Sequence, residues 1–266
     1  MSNNVPSTYK RYHYSVLSSD QLSYIHRTTL EMLKIIVPIL ENNDITYFVC
    51  GGTLRGALLM SGFLPWDEDI DLCVAAYDYD RMIDVLVREV PDWMFVQCEK
   101  TEPKYYHGWI KIRDKKSHLY PDEPLYQQNG VLIDIYKISF VEEIKLDFEI
   151  AKEHLRYLKR RYDVGGITKE EFDNRVKSNN LIERTNKVFS DTNFPNKCII
   201  WSGKQVVFEF KYCFPRKRIL FEHINLFSFK NCVKYLIAHY GCDYTKLPKD
   251  NERMIDFNYV DFDLKF

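Results

Sequence analysis

Apolar residues recur at helical spacing early in the chain, directly after a candidate helix cap. Ser18 and Gln21 have the spacing of a capping box, and the apolar positions that follow predict a helix over 19–41. Pro38 lies within this span and has no backbone N–H to donate to the preceding turn. We therefore expect a kink or an early helix end there.

Short apolar runs bounded by turn residues predict the strands of a sheet. They cover residues 45–50, 69–74, 94–98, 108–112 and 131–138. Helical patterns cover residues 53–60, 79–89 and 228–240, the last with Ser228 as its N-cap. The sheet is predicted to be complete by about residue 140. Residues 141–190 have a charged, helical pattern, and residues 191–227 are compatible with either a strand or a helix.

This order of elements predicts an α+β fold with a mixed sheet and flanking helices. We divide the chain into a loose N-terminal arm (1–17), a core that carries the candidate site (18–140) and a mainly helical C-terminal region packed on that core (141–266).

Composition restricts the classes of partner. The chain has 37 lysine and arginine residues against 38 aspartate and glutamate residues, so its charge does not indicate nucleic-acid binding. Basic runs at 156–161 and 216–218 are interpreted as solvated faces, with contact to an anionic glycan or transient contact to a membrane surface as the alternative. The seven cysteines are odd in number and lack C-x-x-C spacing, which favours a reducing compartment. No secretory signal or membrane-spanning run is visible, so a cytoplasmic location is predicted.

Four acidic residues fall within five consecutive positions, between apolar flanks. In a strand, alternate side chains share a face, so Asp69 and Asp71 point one way while Ile70 and Leu72 enter the core. A solvated acidic loop is the alternative, but the apolar flanks argue against it. Two carboxylates roughly 6–7 Å apart at Cα suit one hard divalent cation, Mg²⁺ or Mn²⁺. Asp67 is a further candidate ligand.

Asp134 is the one acidic residue in an otherwise apolar predicted strand. Taken alone, Asp134 fits a structural role equally well, as a buried polar residue whose hydrogen bonds are satisfied. Beside the acidic pair, it is predicted to be a third metal ligand or a general base. Three carboxylates around a divalent cation suit displacement at phosphorus, in which the protein positions groups and neutralises charge. The pattern therefore predicts the transfer of a phosphoryl-type group.

Gly51, Gly52 and Thr53 lie between a predicted strand and a predicted short helix. Backbone N–H groups at such a turn can bind phosphate, and an ordinary tight turn is the alternative. The segment is neither a dinucleotide fingerprint nor a P-loop. Arg55, beside the turn, is a further candidate for substrate binding.

Lys111 and Arg113 share one face of the strand predicted near residue 110. A solvated basic edge is the alternative interpretation. We predict that both side chains contact substrate phosphates.

Five segments together resemble a known family. They are 51–57 (GGTLRGA), 62–72 (GFLPWDEDIDL), 111–115 (KIRDK), 133–135 (IDI) and 240–248 (YGCDY followed by Pro248). In kind and order these segments resemble the LicD family, which includes fukutin and the fukutin-related protein. The sequence departs from the usual pattern at Arg55, where leucine is usual, and at Tyr136-Lys137, where Phe-Pro is common.

The resemblance implies a DNA-polymerase-β-type nucleotidyltransferase fold. It also implies transfer of a phospho-alcohol from a CDP-activated donor to a hydroxyl of a glycan or glycolipid, with release of CMP. Asp69, Asp71 and Asp134 match the family's metal and catalytic carboxylates. Two alternatives remain open: a true nucleotidyltransferase that moves NMP from an NTP, releasing pyrophosphate, and a non-catalytic binding member.

Overall fold

A computed structural model describes residues 12–120, 126–187, 194–202, 205–256 and 259–262. Predictions that fall on residues 1–11 of the N-terminal arm, and on parts of 191–227, lie outside these residues. Tyr12–His13, at the end of the predicted arm, pairs with Met254–Ile255 as a short antiparallel ribbon.

The helices and strands are numbered in chain order. The helices are α1 (Ser19–Asn42), α2 (Gly51–Met60), α3 (Tyr79–Glu89), α4 (Leu146–Asp163), α5 (Lys169–Ser178), α6 (Leu181–Thr185) and α7 (Cys232–Tyr240). The strands are β1 (Tyr12–His13), β2 (Tyr47–Val49), β3 (Ile70–Ala75), β4 (Met94–Gln97), β5 (Ile110–Asp114), β6 (His118–Tyr120), β7 (Leu132–Val141), β8 (Lys197–Trp201), β9 (Gln205–Glu209), β10 (Lys217–Phe221), β11 (Ile224–Ser228), β12 (Met254–Ile255) and β13 (Tyr259–Asp261).

The main sheet has the strand order β2-β3-β7-β5-β4, and β7 is its central strand. β3 runs parallel to β7, whereas β5 is antiparallel to it. Because β7 is ten residues long, it extends beyond β5 and pairs its last four residues with β8, which in turn pairs with β9. The mixed α+β architecture predicted from the sequence is confirmed.

Helix α1 packs on α3 and β7, and its buried stripe joins the main core. The capping box of Ser18 and Gln21 is present as predicted. The prediction of an early end at Pro38 is wrong, because the helix continues to Asn42. Val37 and Leu40 on either side of the proline are buried, and their packing offsets the one backbone hydrogen bond that proline removes.

The prediction that the sheet is complete by residue 140 is wrong. β8 and β9 extend the sheet, and β10 and β11 form a separate hairpin. Alternate residues of β9 are buried, as expected for a strand that covers a core on one face, whereas three consecutive residues of β8 are buried. The predicted N-cap Ser228 instead ends β11, and the side chain of Asn231 caps α7.

In the described part of the chain, no helix combines the length and the apolar character that crossing a bilayer requires.

Candidate active site

Three strands of the main sheet place two carboxylates and one ammonium group in a row. Asp71 of β3 lies opposite Asp134 of β7, and Lys111 of β5 lies opposite Asp134 on its other side. Side chains at directly opposed positions project from the same face of a sheet. The strand register therefore brings residues from three distant parts of the sequence to one point.

Asp69 adds a third carboxylate from the residue directly before β3. Carboxylate oxygens of Asp69, Asp71 and Asp134 lie within 4.8 Å of one another. The structure thus brings together the three acidic residues that the sequence singled out.

The immediate surroundings of Asp134 are polar and specific. The Nζ atom of Lys111 lies 3.2 Å from Oδ1 of Asp134, and both side chains are only 7% exposed. The hydroxyl of Tyr136 donates a hydrogen bond of 3.1 Å to Oδ2. Oδ1 itself receives no hydrogen bond with full geometry from the described residues. The Oδ2 atom of Asp134 is therefore fixed by a hydrogen bond, whereas its Oδ1 atom can still accept one.

The donor set fits a divalent cation. Lys111 supplies one positive charge against the negative charges of three clustered carboxylates, so the cluster keeps an excess of negative charge. Oxygen ligands of this kind are those that Mg²⁺ and Mn²⁺ prefer. Asp69, Asp71 and Asp134 would hold such an ion. Asp67, the further candidate, is not part of this cluster, although its Oδ2 is buried and has no hydrogen-bond partner among the described residues.

Burial and mutual repulsion disfavour the charged forms of these carboxylates. Burial, followed by the charge of Asp134, raises the pKa of Asp71 to about 6. Burial and then the charge of Asp71 raise the pKa of Asp67 to about 8, and the same two causes raise the pKa of Asp69. A bound cation would offset the repulsion between negative charges that lie this close together.

We expect the metal-free protein to lose stability as the pH rises. A carboxyl group whose pKa is higher in the folded state than its unfolded value of about 3.9 holds a proton that the unfolded chain has released. The free energy of unfolding in EDTA should therefore fall between about pH 4 and pH 6, where Asp67, Asp69 and Asp71 all contribute, and should continue to fall up to about pH 8, where Asp67 and Asp69 still contribute. Urea unfolding across this range measures the slope. Asp67→Asn should reduce the slope between about pH 6 and pH 8, and an unchanged slope in that variant would contradict the raised pKa of Asp67.

The turn at Gly51, Gly52 and Thr53 fixes the position of Asp71 through hydrogen bonds. Helix α2 begins at Gly51, two residues earlier than predicted. The Gly52 N–H donates to Oδ2 of Asp71 at 2.9 Å, and the Asp71 N–H donates to the Thr53 hydroxyl at 2.8 Å. The Gly51 N–H donates to the hydroxyl of Tyr235 at 2.9 Å. The role of this turn in binding substrate phosphate stays a prediction.

Gly51→Ala is expected to be strongly destabilising. Gly51 has φ +53°, and a Cβ there would lie 2.0 Å from Oδ2 of Asp71. Gly165→Ala is the matched control, because Gly165 has φ +79° but open space around its Cβ position. The control should lose about 1 kcal/mol from backbone strain alone, and Gly51→Ala should lose roughly 2 kcal/mol more from displaced packing. Equal losses in urea unfolding would show that Asp71 does not pack against Gly51.

The two arginines predicted to bind substrate are engaged inside the protein. Arg55 donates from Nε to the Tyr244 carbonyl at 2.8 Å and from Nη2 to the Lys246 carbonyl at 2.6 Å. Arg113 is 2% exposed and donates to Oε1 of Gln97 at 2.7 Å. These contacts favour structural roles. Their predicted contact with substrate phosphates stays a prediction, whereas Lys111 lies at the acidic cluster.

Two tyrosines at the site were not predicted from the sequence to be site residues. Tyr136 bonds to Asp134, and its position two residues along the same strand was a usable signal. Tyr235 accepts from Gly51 and shares a 3.0 Å hydrogen bond with Nδ1 of His239. Tyr235 is 184 residues from Gly51 in sequence, so no local pattern reveals that contact.

Comparison with known proteins places part of the chain beside a known family. Residues 44–168 match the family model described as "LicD/FKTN/FKRP, nucleotidyltransferase domain". Over 129 residues the chain is 29% identical to lipopolysaccharide cholinephosphotransferase LicD of Haemophilus influenzae, and the alignment covers 48% of each protein. Over 111 residues it is 28% identical to ribitol 5-phosphate transferase FKRP of human and mouse, covering 40% of this chain and 22% of those relatives.

The match covers all the candidate site residues, from Gly51 to Asp134, and ends before the segment at 240–248. The chain spans about half the length of the LicD relative and a smaller share of FKRP. Within the matched region, the resemblance inferred from the motifs is confirmed. Residues 44–168 of the chain are therefore similar to the nucleotidyltransferase domain of the LicD family.

Proposed function

We propose that this protein is a metal-dependent transferase with a polymerase-β-type nucleotidyltransferase core. It would transfer a phospho-alcohol from a CDP-activated donor to a hydroxyl of a glycan or glycolipid and release CMP. The observation that carries the proposal is the cluster of Asp69, Asp71 and Asp134 beside Lys111, inside the segment that matches the LicD family.

The relatives' names support the class of reaction. One relative is a cholinephosphotransferase that acts on lipopolysaccharide, and the other is a ribitol 5-phosphate transferase. Both names describe transfer of an alcohol phosphate. Which alcohol this chain transfers is a separate question, because Arg55 and Tyr136 depart from the usual family residues at this site.

The chain's own residues supply three parts of the chemistry. The Lys111 ammonium group would stabilise negative charge on the phosphate under attack. One of the clustered carboxylates would accept the proton of the acceptor hydroxyl, whose oxygen then forms a bond to phosphorus. The bond from that phosphorus to the CMP oxygen would break as CMP leaves. A divalent cation bound to the three carboxylates would neutralise and orient the donor's phosphates.

The location proposed for the protein is the cytoplasm. Its support is that all seven cysteines are free thiols, five of them buried, as is usual in a reducing compartment.

A product assay distinguishes the proposed reaction from nucleotidyl transfer. The protein is incubated with Mg²⁺, a panel of neutral saccharides, and either CDP-choline, CDP-ribitol, CDP-glycerol or the four nucleoside triphosphates. We expect CMP from at least one CDP-alcohol and no pyrophosphate from any triphosphate. Pyrophosphate release with transfer of NMP to an acceptor would instead establish the nucleotidyltransferase alternative.

A further inference from the structure

A large cleft lies between helices α3 and α4, next to the loop that joins β4 to β5. We call it the α3–α4 cleft; its walls include Tyr79, Tyr105, Trp109, Lys137 and Lys159. Its volume is about 530 Å³. This is within the range of roughly 300–1,000 Å³ found for small-molecule sites.

The cleft contains many cations, but they are paired. Five lysine and arginine side chains line it. Each of them forms an ion pair with a carboxylate: for example, Lys137 Nζ lies 2.7 Å from Glu153, Lys159 Nζ lies 3.0 Å from Asp163, and Arg160 Nε lies 3.1 Å from Glu99. Glu153 pairs with both Lys137 and Arg156, so four carboxylates pair with the five cations, and Asp80, which also lines the cleft, supplies a fifth negative charge. The positive charge is therefore balanced, and the cleft does not have the uncompensated charge that a phosphate or nucleotide site needs.

Paired charges suit a neutral ligand that is rich in hydroxyl groups. A hydroxyl group both donates and accepts hydrogen bonds, and each ion pair presents a donor and an acceptor side by side. Rings add an apolar surface to this polar wall. The hydroxyls of Tyr79 and Tyr105 donate to the carbonyls of Ile135 and Trp109, so their polar atoms bond within the protein and are not directed at a ligand.

The cleft is connected to the acidic cluster through two short links. The Trp109 ring, which lines the cleft, lies 5.8 Å from the Nζ atom of Lys111. Lys111 in turn contacts Asp134. On the other side, the Tyr79 hydroxyl bonds to Ile135, the residue that follows Asp134. A ligand in the cleft would therefore lie beside the strands that carry the reaction.

We propose that the α3–α4 cleft binds a neutral saccharide, as the part of the acceptor that lies beyond the reacting hydroxyl. The binding of a saccharide follows from the cleft itself. Its identification as acceptor rests on the proposed function.

Saccharide binding is tested on the full chain without donor and with EDTA present. Methyl glycosides of glucose, galactose, mannose and N-acetylglucosamine, and inorganic phosphate and CMP as charged probes, are titrated by saturation-transfer NMR. We expect at least one glycoside to bind and the charged probes not to compete with it. No glycoside binding, or displacement of the glycoside by phosphate or CMP, would overturn the proposal.

Two variants locate the binding. Ala76 is exposed and lines the cleft, so Ala76→Phe should fill it and weaken glycoside binding by about tenfold or more. Ala238 is exposed on α7 and is not part of the cleft wall, so Ala238→Phe is the matched control and should change binding less than about twofold. Lys159→Leu, at a side chain that is 66% exposed, removes one ion pair without affecting the core and should weaken binding severalfold. Wild-type affinity in both cleft variants would refute the assignment.

The outcomes separate this proposal from the proposed function. Glycoside binding that Ala76→Phe weakens, together with no CMP release from any CDP-alcohol, would refute the transferase proposal and the acceptor assignment that rests on it, and would leave saccharide binding in the cleft intact. CMP release with wild-type glycoside affinity in both Ala76→Phe and Lys159→Leu would refute only the cleft proposal.

Discussion

Asp71→Asn is expected to abolish transfer and, at the same time, to make the metal-free protein more stable. Activity should fall by about 10³-fold or more, because one of three clustered carboxylates loses its charge. Stability should rise because burial and the charge of Asp134 hold the pKa of Asp71 at about 6, so ionised Asp71 costs free energy at pH 8. The gain should be of order 1–3 kcal/mol.

The amide substitution preserves the local structure, since its oxygen can still accept the hydrogen bond from Gly52. CMP release and urea unfolding at pH 8 in EDTA measure the two effects. Asp84→Asn is the control: Asp84 is 63% exposed on α3, and neither quantity should change in that variant. Loss of activity with a large loss of stability would mean that Asp71 is a structural residue and not part of a metal site.

Lys111→Met is expected to reduce both stability and activity. Lys111 and Asp134 form a buried pair, with each side chain 7% exposed. Removing one member leaves an uncompensated buried charge, which typically costs about 3–5 kcal/mol. Activity should fall by about 10²-fold or more, because the ammonium group lies at the carboxylate cluster where charge develops.

A double variant separates the two effects. Asp134→Asn combined with Lys111→Met removes both charges, so stability should recover towards that of the wild type, whereas activity should not. Lys197→Met is the comparison for an exposed pair, since its partners Glu209 and Glu143 are 37% and 64% exposed. That change should cost about 1 kcal/mol or less. Equal costs for Lys111→Met and Lys197→Met would contradict the buried-pair description.

Sequence patterns within a single segment were sufficient to predict the helices and strands whose formation depends on neighbouring residues. The apolar stripe and the capping box predicted α1, and α3 has the predicted bounds of 79–89. Alternation in β3 placed Asp71 opposite to the core-facing Leu72, because that periodicity is a property of any strand.

The remaining features depend on contacts between residues that are far apart in sequence. β8 and β9 join the sheet only because β7 extends past the end of β5, and nothing within 191–227 reveals this. Lys111 and Arg113 have the same alternation in β5, yet only Lys111 reaches the cluster. Arg113 lies against Gln97 and the carbonyl of Gly130, whose positions are set by other strands and loops.

The measurement that tests the account most directly is the binding of Mn²⁺ to the wild-type protein and to Asp71→Asn. Binding is detected as a loss of the electron paramagnetic resonance signal of the free ion. The account predicts that the wild-type protein removes Mn²⁺ from solution, that Mg²⁺ competes for the same site, and that Asp71→Asn weakens binding by about 10-fold or more. Equal Mn²⁺ binding by the two proteins, or none by the wild type in the presence and absence of a CDP-alcohol, would contradict a metal centre at Asp69, Asp71 and Asp134.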